Sequence, residues 1–203
     1  MIYRLFLIFL FILSPVTLQA KTILIVGDSI SAAYAIPVEK GWVSLLEQRL
    51  SEQKTVHKVV NASIVGETTF GGVMRLLPLL EKHQPDIVVI ELGGNDGLMG
   101  ADLNDIENNL ITMVGMVKET NSDVLLVPMQ MPPNYGQKYT QGFASIYQQV
   151  AEKANISLTT FIYKDIAEVP DLMMSDGIHP VESAHPIMLE NIWPSLSALL
   201  NKE

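Results

Sequence analysis

Ser29, within Gly27-Asp28-Ser29-Ile30, follows an apolar run. A serine on such a strand-to-helix turn exposes its hydroxyl, and its amide sits at a helix N-terminus where partial positive charge favours an anion. Ser29 or Asp28 could equally serve as a plain helix cap. The segment is not a G-x-S-x-G elbow, because Ser31 takes the last position. Leu92-Gly93-Gly94-Asn95-Asp96 follows another apolar run. Its glycines admit a substrate close to the backbone, and the Asn95 amide can donate to a developing oxyanion, although ordinary turns use the same residue types. Gly66, closing Asn61-Ala62-Ser63-Ile64-Val65-Gly66, offers a further backbone donor or simply opens the next helix. His179 and Asp176 stand three residues apart in Asp176-Gly177-Ile178-His179-Pro180. An imidazole takes a proton near neutral pH, and a nearby carboxylate can orient it through the other ring nitrogen. Together these groups are the parts of serine-based acyl transfer.

A metal centre is not expected. His185 follows His179 out of phase for one helical face, no H-E-x-x-H occurs, and a third ligand is missing. His57, His83 and His185 lack a companion carboxylate and are expected at the surface or in packing.

Five apolar runs must position the chemistry: Thr22 to Val26, Val56 to Asn61, Asp86 to Leu92, Asp123 to Val127 and Ile156 to Phe161. Several lack polar alternation, as strands covered on both faces do. Between them, Trp42, Leu45, Leu46 and Leu50 form one helical stripe, and Leu103, Ile106, Leu110, Met113 and Val117 form another. Thr69 to His83, with a kink expected at Pro78, Thr140 to Ala154 and Ala184 to Leu200 are further helix candidates. Strand and helix alternate five times. The fold class expected is α/β: a three-layer α/β/α sandwich around a five-stranded parallel sheet of flavodoxin-like topology. In such sheets reacting groups gather beyond the carboxyl ends of the strands, and the three segments above all sit there.

The chain has 203 residues and a formal net charge of −9, which argues against a sequence-independent nucleic-acid binder. Hydrophobic residues make up 48% and charged residues 17%, the composition of a packed domain. Cysteine is absent, so disulfides and thiolate chemistry are excluded. Met1 to Arg4 is a basic start, Leu5 to Leu13 is apolar throughout, and the stretch ends at Ala20. Residues 1–20 therefore read as a secretory signal peptide, with Leu18 imperfect for cleavage, and residues 21–203 as one domain. The apolar stretch is short for a spanning anchor.

Taken together, Ile25 to Ser29, Asn61 to Gly66, Glu91 to Leu98, Pro132-Pro133-Asn134-Tyr135-Gly136 and Met173 to Pro180 resemble the SGNH hydrolases, or GDSL-type esterases. Within that family the chain looks like the bacterial periplasmic thioesterase I/lysophospholipase group. The resemblance spans the mature chain. It implies Ser29 as nucleophile, His179 as base and Asp176 as its orienter, with the Ser29 amide, Gly66 and Asn95 as oxyanion hole. It implies hydrolysis of acyl thioesters, aryl esters and lysophospholipids without metal or cofactor, in the periplasm or outside the cell. Ile30 replaces the usual leucine, and Val65 stands where relatives often carry a polar residue, which bears on pocket shape. The loop Met129 to Gly142 could line an acyl site through Met129, Pro132 and Tyr135, or be a plain connection. Nothing demands more than a monomer. A carbohydrate O-deacetylase and a non-catalytic binding module are the competing readings.

Overall fold

The computed structural model describes residues 19–53 and 55–202. All of the expected leader except Gln19 and Ala20 lies outside the described residues. Five strands, β1 Thr22–Gly27, β2 Lys58–Asn61, β3 Ile87–Glu91, β4 Asp123–Leu126 and β5 Ser157–Leu158, form one parallel sheet in the order β2-β1-β3-β4-β5. This is the flavodoxin-like order, with a reversal of winding between β1 and β3. The central strands are apolar without alternation because both faces are covered: Ile23 to Val26 and Ile87 to Ile90 are fully buried. Helix α1, Trp42–Ser51, packs with α6, His185–Leu200, and α2, Thr69–His83, packs with α4, Leu103–Glu119, which in turn meets α5, Gln137–Ala154. Right-handed crossovers in this strand order put α1 on the opposite face from α2, α4 and α5.

The edge strands are shorter than expected. Pairing of β2 starts at Lys58 because His57 turns inward, where its Nδ1 accepts the Lys21 amide at 3.1 Å, and Val56 is left exposed. At the other edge, β5 has one neighbour; after Thr159 donates to the Leu126 carbonyl at 3.0 Å, the chain leaves the sheet to bury Ile162 and Tyr163. A short helix, α3 Gly94–Leu98, stands where the residue types suggested a turn. Helix α2 runs on through Pro78 and is capped by Thr68, whose hydroxyl accepts the Gly71 amide at 3.1 Å.

His185 is a packing residue with a specific partner. Helix α1 begins after Gly41, which has no capping side chain, and the buried Nδ1 of His185 accepts the Trp42 amide at 3.1 Å instead. Burial lowers its pKa from the usual 6.5 to about 4. The unfolded chain therefore takes up this proton first, so the stability is fully present above pH 6.5 and declines as pH falls toward 4. The contribution is on the order of 3 kcal/mol at most. Urea unfolding at pH 7 and pH 4.5 is expected to show this loss in the wild type and a smaller one in His185→Gln, which keeps an acceptor that does not titrate. Equal losses in both would remove His185 as the cause.

Candidate active site

Ser29 and Asn95 follow the carboxyl ends of β1 and β3, the two strands that flank the reversal of winding. That position makes a crevice without any special side chain. The helix expected directly after β1 is absent: residues 29–35 form turns and the first α-helix starts only at Trp42, so the Ser29 amide is not at a helix N-terminus. Asp28 instead shapes the turn, its Oδ1 accepting the Ile30 amide at 2.9 Å and its carbonyl accepting Ala32 N at 3.0 Å. The Ser29 hydroxyl is thereby left to another partner. His179 Nε2 lies 3.0 Å from Ser29 Oγ, across 150 positions of chain.

The His179 loop is shaped by its own backbone. Asp176 Oδ1 accepts the amides of Ile178 and His179 at 2.9 and 3.0 Å, and Met174 N donates to the His179 carbonyl at 2.7 Å. The other Asp176 oxygen lies 2.7 Å from His179 Nδ1. Partial burial opposes the charge on Asp176, but these hydrogen bonds together outweigh it and hold the carboxyl at about 2. An ionised carboxylate only accepts, so the ring proton sits on Nδ1 and Nε2 presents a lone pair to Ser29. Tyr34 covers the imidazole, with ring centroids 4.6 Å apart.

The amides of Ser29 and Gly66 find no acceptor among the described residues. Asn95, on the first turn of α3, is differently placed. Its Nδ2 donates to Asp28 Oδ2 at 3.0 Å and to the Glu67 carbonyl at 2.8 Å. One side-chain amide thus clamps the residues next to Ser29 and Gly66, using both of its hydrogens. Gly93 makes the sharp entry to α3 at φ 112, where a Cβ would collide with the Tyr147 hydroxyl. Asp96 ties α3 to α2 by accepting the Thr69 amide at 2.9 Å and the Thr69 hydroxyl at 2.6 Å.

Several of these supports escaped the sequence reading. Arg75 pairs with Glu67 at 2.5 Å and donates to the Ala62 carbonyl at 2.5 Å, so it steadies the Gly66 loop from within α2. A lone arginine among the apolar residues of that helix was the available signal. Met129, expected at the acyl site, is 5% exposed and packs beneath Gly94. Pro132 is half-buried, and Tyr135 donates to the Leu98 carbonyl at 2.9 Å, which joins the expected substrate loop to the end of α3.

A hydroxyl, an imidazole and a carboxylate in one hydrogen-bonded line, with the unpaired amide of Ser29 itself and that of Gly66 on the loop that Asn95 ties to Asp28, is an arrangement for attack on a carbonyl. The sequence profile of the GDSL-like Lipase/Acylhydrolase family matches residues 25–186. The chain belongs to this family. As a GDSL-like acylhydrolase it is 45% identical over 181 residues to Esterase TesA of Pseudomonas aeruginosa, covering 89% of this chain and 90% of the relative. It is 37% identical over 196 residues to Thioesterase 1/protease 1/lysophospholipase L1 of Escherichia coli strain K12, covering 97% and 93%. The crystal structure of the esterase EstA from Pseudoalteromonas sp., inhibited by monoethylphosphonate, superposes with a TM-score of 0.85 at 40% identity, covering 90% of this chain and 100% of that one. This GDSL-like chain is accordingly a serine ester hydrolase with the three-layer fold of its structural neighbours.

Proposed function

We propose that the enzyme hydrolyses carboxylic esters and thioesters, including aryl esters and lysophospholipids, through an acyl-enzyme on Ser29. The reading rests on the 3.0 Å approach of Ser29 Oγ to His179 Nε2. His179 takes the hydroxyl proton as Ser29 attacks the carbonyl carbon, and Asp176 stabilises the imidazolium that forms. The Ser29 and Gly66 amides and Asn95 receive the oxyanion. His179 then returns the proton to the leaving oxygen or sulfur, and water repeats the sequence on the acyl-enzyme. No step calls for a metal or cofactor.

Asn95 can serve the oxyanion only by lengthening or sharing one of its two existing bonds, so its removal affects both the donor and the clamp. Asn95→Ala is expected to lower kcat by roughly 10²-fold to 10³-fold. Steady-state kinetics on a p-nitrophenyl ester checks this. A loss confined to KM would place Asn95 in ground-state binding instead.

Apolar side chains near the site favour a chain-bearing acyl group over acetate. Ile64 and Val65, 50% and 54% exposed, directly precede Gly66, and Tyr34, 45% exposed, lies on the His179 ring. A carbohydrate deacetylase would need a polar, open cleft there. Pro132 and Tyr135 are proposed to border the acyl groove, with Met129 supporting it from below. p-Nitrophenyl esters from acetate to laurate are expected to give a kcat/KM that rises with chain length beyond acetate; activity on acetate alone would turn the assignment to a deacetylase. We further infer that residues 1–20 direct export and that the enzyme acts as a monomer in the periplasm or outside the cell, on lipid-derived or scavenged esters.

A further inference from the structure

Glu91 closes β3 opposite Gly27, the last residue of β1, and is 0% exposed. A carboxyl is an expensive group to bury at the centre of a sheet. Its Oε2 accepts the Ser31 hydroxyl at 2.6 Å. Ser31 is itself buried, and its carbonyl accepts Asn61 Nδ2 at 2.8 Å. The approach is so close that a Cβ on Gly27 would stand 2.8 Å from Glu91 Oε2 and 2.7 Å from Ser31 Oγ. Glu91 thus holds Ser31 by a hydrogen bond and abuts Gly27, residues that stand on either side of Ser29. The same residue lies two positions before Gly93 and four before Asn95.

The bond to Ser31 satisfies only half of this side chain. Glu91 Oε1 has no hydrogen-bond partner among the described residues, a deficit that an apolar residue of similar size would avoid. Burial, reinforced by the neighbouring Asp28, pushes the carboxyl well above the usual carboxylate range. What the side chain supplies is a fixed acceptor behind the turn.

We propose that Glu91 is a positioning residue, holding Ser31 and packing against Gly27 so that Ser29 keeps its place relative to His179 and to the Gly93–Asn95 segment. The inference rests on Ser29 being the nucleophile. Misplacing a reacting group by about an ångström can lower a rate by as much as 10²-fold. Glu91→Leu fills the volume and removes the acceptor; it is expected to lower kcat by roughly 10-fold to 100-fold with little change in KM. Inactivation by a fluorophosphonate probe, which reads the acylation geometry directly, is expected to slow by the same factor. Glu91→Gln retains a carbonyl for the Ser31 hydroxyl and is expected to restore most of both rates. Should Glu91→Leu fail to fold, Ser31→Ala removes the hydrogen bond to Glu91 and is expected to give a several-fold fall in kcat and in probe reactivity. Wild-type rates in Glu91→Leu, or in Ser31→Ala where the former does not fold, overturn the positioning role, as does a Glu91→Gln enzyme as slow as Glu91→Leu. Activity persisting in Ser29→Ala would instead overturn the nucleophile assignment on which the inference rests.

Discussion

Ser29→Ala is expected to lower kcat by roughly 10⁶-fold, the scale of loss when a serine nucleophile is removed from an otherwise intact triad. The substitution removes one atom with one role. Ser29 Oγ bonds His179 Nε2 at 3.0 Å, whereas the turn is held by main-chain bonds, Tyr34 N to the Ser29 carbonyl and Ala32 N to the Asp28 carbonyl, that alanine preserves. The Asp176–His179 pair does not depend on the hydroxyl either. Unfolding is therefore expected to be nearly unchanged while turnover disappears. Intact-mass measurement after fluorophosphonate treatment gives the second arm: the wild type gains one adduct at Ser29, and the variant gains none. Esterase rates near wild type in Ser29→Ala, or labelling at another residue, would falsify the assignment.

The sequence exposed the sheet through its central strands, where burial on both faces suppresses alternation and leaves runs such as Ile23 to Val26. It was less informative at the edges. Whether Val56 or Thr160 joins a ladder depends on which neighbour the chain meets, and the inward turn of His57 decides the matter at β2. The Ser29, Asp176 and His179 segments were visible as residue types after strand ends, since capping and catalysis draw on similar residues; only the fold separated the two uses, by placing turns and no helix after β1 and giving Asp28 the Ile30 amide. Asn95 was visible as a donor, but not as a clamp, because its partners Asp28 and Glu67 lie 67 and 28 positions away. Glu91 left a clear trace, a single carboxylate ending an otherwise apolar central strand. Its partner Ser31, 60 positions distant, could be found only in three dimensions.

Asp176→Asn is expected to be second only to loss of the nucleophile in its effect, despite its minimal change in shape. The reason lies in the two oxygens of Asp176. Oδ1 receives two backbone amides, from Ile178 and His179, and only an acceptor can stand there. The asparagine must therefore turn its carbonyl oxygen to those amides, which puts its NH₂ against His179 Nδ1 at the place of the 2.7 Å bond. A donor there forces the ring proton onto Nε2, the atom that has to accept from Ser29. The imidazole keeps its position and loses its basic nitrogen. With the carboxylate normally ionised down to about pH 2, the wild type does not meet this tautomer by acidification through the range in which enzymes are assayed. A fall in kcat of roughly 10⁴-fold is expected, the size seen when a triad carboxylate is neutralised in place. Raising the pH should not restore it, because the fault is in the tautomer and not in the protonation level. Asp176→Ala removes the acceptor from Nδ1 without putting a donor in its place, so water can satisfy Nδ1 in either tautomer, and it is expected to retain more activity than the near-isosteric Asp176→Asn. Steady-state kinetics on both variants tests the argument, and an Asn enzyme more active than the Ala enzyme would show that orientation of the ring, and not its tautomer, is what Asp176 supplies.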